Sequence, residues 1–247
     1  MKGQTAFVLS RMQKPQTSSS FSALTNVAFF RLWVAALASG AAVAADQTAA
    51  RWALIHFSKS ALVISSLSST AALPFLFFTL PAGFLADAVD RRLLLRTINV
   101  WQALVAGALA FLGFRGMLSP ATLLVGSLAL GVGFAFNAPV WTALIPDMLP
   151  EDELPSAATL GSLQMNLSGI VGPALGGFLL AFTSPPVVFG LNAVGFLGVV
   201  AALRGDHHRQ SPAKPPPGAA DRSLADAFHY VQASAAVRAV LARNHQA

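Results

Sequence analysis

The sequence predicts an all-α membrane protein, a bundle of six transmembrane helices, and three observations predict it. The 247 residues are 55% hydrophobic and only 11% charged, with mean hydropathy +0.61. A soluble domain carries about a quarter charged residues. The charges that exist are separated by long uncharged runs. Lysine and arginine, finally, are spread unevenly over the segments between those runs. The same composition excludes intrinsic disorder and argues against a soluble enzyme. No cysteine is present, so disulfides, thiolate nucleophiles and cysteine-ligated metals are excluded.

The elements follow in order. A first span is expected at 28–55, interrupted by Asp46 and Arg51. Residues 60–86, 97–114 and 116–146 hold no charge, and each run suits one crossing, which needs about 20 apolar residues. The run 154–203 is too long for one crossing. It contains Ser184-Pro185-Pro186, which breaks a helix, so two spans are expected there. The six are placed at 28–55, 61–86, 95–114, 119–141, 156–182 and 187–203. Their richness in alanine and leucine favours helix, and they lack the alternation of a membrane barrel.

Basic residues orient the bundle. With the N-terminus inside, the inner segments hold Lys2, Arg11, Lys14 and Arg31, then Arg91, Arg92 and Arg96, then Arg204, Arg209, Lys214, Arg222, Arg238 and Arg243. That is thirteen of the sixteen basic residues. Lys59 and Arg115 fall outside, and Arg51 lies in or near the membrane. The positive-inside rule selects this orientation, which implies a multi-pass protein of the plasma (inner) membrane. It also accounts for the formal charge of +6 without nucleic acid as a partner.

The ends are different material. Residues 1–27 read as a cytoplasmic tail, with no secretory signal peptide. Residues 28–205 are the bundle. Residues 206–247 begin as a polar, proline-rich linker and continue as an amphipathic helix, with Leu224, Phe228 and Val231 on one stripe. His207-His208 lacks further ligands nearby, so no metal site is expected. No seventh span follows, and the chain is expected to be truncated before one.

Two motifs carry the functional reading. After the second span comes Gly83-Phe-Leu-Ala-Asp87-Ala-Val-Asp90-Arg91-Arg92. Gly83 permits close packing. Asp87 and Arg91 are four apart, in reach if the turn stays helical. They form either a charged interfacial loop or a latch that must break during a conformational change. The fifth span contains Gly169-Ile-Val-Gly172-Pro173-Ala-Leu-Gly176-Gly177. Gly172 and Gly176 share a helix face that admits close approach.

These residues resemble a family. The stretch from Gly83 to Arg92 resembles the loop between helices 2 and 3 of the major facilitator superfamily. Gly172-Pro173-Ala-Leu-Gly176-Gly177 is similar to the helix 5 motif of its proton-coupled exporters. Phe30-Arg31-Leu-Trp33, Asn137-Ala-Pro139, Ala143-Leu-Ile-Pro146 and Asp152-Glu-Leu154 extend the resemblance to the enterobactin-exporter-like, or transmembrane secretion effector, branch. The resemblance implies the N-terminal half of a fold with about twelve spans in two halves. It implies a secondary exporter of a small molecule such as a siderophore or drug, driven by the proton motive force without a bound cofactor. Its partners would be the bilayer, the substrate, and a C-terminal half or second copy. By the same resemblance Asp87 and Arg91 belong to a gate latch, spans 1, 4 and 5 line a cavity, and the helix 5 glycines meet a helix of the other half.

Polar residues inside the spans complete the candidates. Asp46 and Arg51 are costly in hydrocarbon and so point to function. Five residues apart, they are separated by about 140° around the helix, which argues against a direct pair. Asp46 is placed in an outward water-filled vestibule or in proton coupling. Gln164, Asn166 and Asn192 can line a cavity or hydrogen-bond between helices, and bonding between helices is the favoured reading; Asn137 joins the cavity candidates. Asp87 and Asp90 also raise a metal-dependent lipid-headgroup transferase, but the wider aspartate pattern of such enzymes is missing, so no enzyme is expected. The remaining alternative is a six-helix fragment that transports nothing without a partner.

Overall fold

A computed structural model describes residues 21–204. The tail 1–20 and the expected amphipathic helix within 206–247 lie outside the described residues. Six helices cross the described chain: α1 Val27–Phe57, α2 Ala61–Ala88, α3 Arg91–Phe114, α4 Pro120–Met148, α5 Leu154–Phe182 and α6 Pro185–Ala202. All six are long and apolar enough to cross a membrane, and no strand is present among the described residues.

Local chemistry sets the boundaries. Asn26 caps α1 by accepting from the Phe29 amide, and Ser119 caps α4 in a capping box with Thr122. Pro120 and Pro185 each stand in a first turn, where the missing N–H costs nothing. The break at 183–184 divides the long uncharged run as expected. Most ends fall within two residues of expectation, and two move outward by more. α3 begins at Arg91 rather than 95, because Asp90 caps it by accepting from the Leu93 amide at 2.8 Å. α4 runs to Met148 rather than 141 and stays helical through Pro139 and Pro146. At the start of α3 the arginines end the apolar run without ending the helix, whereas α4 continues because neither proline breaks it. The N-terminal tail also ends earlier than residue 27. A single 3-10 turn, Ser22–Thr25, buries Ala23 completely, and its amide donates to Ser156 Oγ at 3.2 Å.

Consecutive helices are joined by short connections and run in alternating directions, yet they pack mainly on more distant partners. α1 packs on α5 and α6, α4 on α2 and α3, and α3 on α6. Exchanging the first three helices with the last three leaves that pattern unchanged and reverses the direction through the membrane. This is the inverted-repeat arrangement of transporter bundles. Small residues permit the closest crossings, since lipid supplies no hydrophobic drive between helices. Gly131 lies against the Ala71 carbonyl, Gly126 against Leu109, and Gly113 against Pro186.

Candidate functional site

Arg91, the first residue of α3, reaches across to the end of α4. Its Nη1 lies 3.0 and 2.9 Å from the two carboxylate oxygens of Asp147 and donates to the Ala143 carbonyl at 3.2 Å. Its Nε donates to the Ala86 carbonyl near the end of α2 at 3.2 Å. One guanidinium thereby ties three helices at the basic end of the bundle. Charge-assisted bonds of this kind are strong and directional. Asp90 serves as the α3 cap, and Arg92 is half-buried. Asp87 lies in the last turn of α2, and its side chain is outside the described part. Among the described residues a Cβ on Gly83 would meet nothing within 4 Å.

The helix 5 motif divides between two faces. Gly172 and Gly176 are buried against α1. A Cβ on Gly172 would fall 2.6 Å from the Ala41 carbonyl oxygen, and one on Gly176 2.9 Å from that of Ala45. Just below, Gln164 donates to the Ala36 carbonyl and Ser168 to the Leu37 carbonyl. These bonds extend the α1–α5 seam. The buried pair of glycines therefore serves this bundle's own packing. Gly169, Pro173 and Gly177 lie four apart on an exposed face, and neither glycine has an atom near its missing Cβ.

The remaining candidates do not converge on one cavity. Asp46 is buried at 4% exposure, packed where α1 meets α6. The expected water-filled vestibule at this position is therefore corrected. It fails because the α1 face carrying Asp46 is the one covered by α6. Asn192 of α6 faces it, yet Asp46 Oδ1 and both polar side-chain atoms of Asn192 lack hydrogen-bond partners. Arg51 is exposed on another side, lining a shallow cavity of about 230 Å³ with Gln47, Ser68 and Phe75. The two residues therefore occupy different surroundings. Asn137 is half-buried on α4, while Asn166 is exposed and donates to the Ser162 carbonyl of its own helix.

Sequence reasoning missed Asp147, Asn99 and Gln102. Asp147 ends the uncharged run of α4, a signal that was available. Asn99 and Gln102 are completely or nearly completely buried on α3. Gln102 packs against Gly133, with both polar side-chain atoms unpartnered.

Comparison with known proteins agrees with this geometry. The chain is 26% identical over 175 residues to macrolide efflux protein A of Streptococcus pyogenes, covering 71% of this chain and 42% of that protein. It is 35% identical over 126 residues to the putative multidrug resistance protein MdtD of Escherichia coli O81, covering 50% of this chain and 26% of that one. It is 25% identical over 159 residues to the staphyloferrin A transporter of Staphylococcus aureus, covering 64% and 40%. The chain thus spans less than half the length of these relatives. No solved structure matches it. The family model described as transmembrane secretion effector matches residues 18–246, and with six apolar helices in an inverted-repeat bundle the chain belongs to that family of major facilitator transporters.

Proposed function

We propose that this bundle is one half of a secondary active exporter. It would move a drug-like or siderophore-like small molecule outward through the plasma (inner) membrane, with protons entering in exchange and the N-terminus inside. The single observation that carries the reading is the Arg91–Asp147 contact at the basic end. A charge pair only partly shielded from solvent, joining the ends of three helices, can form in one conformation and open in another. Family membership and the names of the relatives support transport over catalysis and supply the substrate class. Alternating access in such proteins rocks one bundle against another about a midplane site. A second bundle of six is therefore required, whether from further sequence or from a second copy.

Liposomes carrying this chain alone, or this chain with a second six-helix bundle supplied, are given an imposed proton gradient and a labelled macrolide or ferric-siderophore-type ligand. Gradient-dependent flux is expected only when two bundles are present. Flux from verified monomers overturns the two-bundle requirement. An absence of flux for every drug and siderophore with both bundles present overturns the exporter reading. Without a second half, the chain then stands as a non-transporting six-helix protein.

A further inference from the structure

The segment Phe30-Arg31-Leu32-Trp33 has no part in the latch or the glycine faces, yet the structure gives it a defined setting. Leu32 is buried. Trp33 Nε1 donates to the Leu160 carbonyl at 2.9 Å, fastening α1 to α5. Arg31 is left exposed, with no hydrogen bond or ion pair among the described residues.

One turn further along, Val34 opens an apolar trough of about 520 Å³. α5 and α6 both pack on α1 but scarcely on each other. Beyond Val34 and Leu37, α1 presents alanine methyl groups between them, such as those of Ala38, Ala42 and Ala45, while Leu175 and Leu191 stand in the walls. The trough is therefore a consequence of small residues on the floor and large ones at the sides.

Its dimensions and its charge name an occupant. From Val34 to Ala45 the floor runs about 16 Å at the rise of an α-helix. That is close to half of a hydrocarbon core of about 30 Å, the depth of one leaflet. Arg31, Val34 and Ala38 follow the spacing that shares a helix face. Helical side chains lean toward the N-terminus, which carries the Arg31 guanidinium past the mouth of the trough, toward headgroup level. Guanidinium binds phosphate oxygens as a fork.

We propose that the trough holds an acyl chain of an anionic phospholipid whose phosphate is bound by Arg31. Lipid binding is read without flux, so this proposal stands or falls separately from the exporter reading. The test is native mass spectrometry of the full chain released from detergent with phosphatidylglycerol or phosphatidylcholine of matched chains. One phosphatidylglycerol is expected to be retained in preference to phosphatidylcholine. Arg31→Gln is expected to reduce that retention about fivefold. Ala38→Leu, which fills the exposed floor, should reduce it as well, whereas Arg115→Gln at the other end of the bundle should not. Both test positions are exposed, so the fold tolerates the changes, and monodisperse elution verifies it. Equal retention of the two lipids, unchanged retention in Arg31→Gln, or unchanged retention in Ala38→Leu overturns the proposal.

Discussion

Arg91 holds Asp147 through both carboxylate oxygens, at 3.0 and 2.9 Å, so the first residue of α3 is tied to the last turn of α4. The two side chains are 27% and 32% exposed, and solvent weakens the pair accordingly. A double-mutant cycle of Arg91→Ala and Asp147→Ala is expected to give a coupling of about 1 kcal/mol in thermal unfolding. Arg91 also serves the Ala86 and Ala143 carbonyls. The swap Arg91→Asp with Asp147→Arg therefore restores the charges but not the backbone bonds. It should recover less than half of any lost transport. Full recovery would show that charge alone matters here.

The two faces of α5 should respond differently to alanine. At Gly172 a Cβ meets the Ala44 side chain and the Ala41 carbonyl, and backbone cannot move aside cheaply. Gly172→Ala is expected to lower the stability of the detergent-solubilised bundle by about 1–3 kcal/mol, as overpacking does. Gly169→Ala and Gly177→Ala meet open space and should stay within about 0.5 kcal/mol. Thermal unfolding by tryptophan fluorescence checks the contrast. Equal losses at all three positions would mean that the exposed face is packed in solution.

How much of this was legible in the sequence depends on distance along the chain. The spans were readable because lipid excludes charge locally, and Pro185-Pro186 divided the last run for an equally local reason. The start of α3 was not, because Arg91 and Arg92 mask a helix that Asp90 caps. Gly172 and Gly176 could be assigned to one face from their spacing, but only the fold shows that Ala41 and Ala45 lie beneath them. Asp147 stands far along the chain from Arg91, and no local pattern joins them. Gly83 permits close approach, but no neighbour among the described residues uses it.

Asp46 of α1 and Asn192 of α6 face each other in the buried interior, with side-chain atoms left unpartnered. Asp46→Asn keeps the shape of the side chain and removes its capacity to ionise. Folding is expected to survive, with unfolding midpoints within a few degrees of the parent, a change of about 1 kcal/mol or less. If Asp46 couples proton entry to export, the variant should lose gradient-driven flux while keeping substrate exchange at equal pH on both sides. Gradient-driven flux at the parent rate would move coupling to another residue.

The orientation of the bundle is open to direct measurement, because the chain has no cysteine. Single cysteines at positions 90 and 184 lie in connections at opposite ends, since the α2–α3 link is separated from the α5–α6 link by an odd number of crossings. With thirteen basic residues assigned inside, Asp90→Cys should react with a membrane-impermeant maleimide only after the cells are opened. Ser184→Cys should react in intact cells. Reversed labelling would invert the bundle and place Arg31 and the Arg91–Asp147 pair at the outer surface, against the positive-inside rule. Labelling of both from one side would contradict the six-span topology itself, because an odd number of crossings cannot return the chain to the side it left.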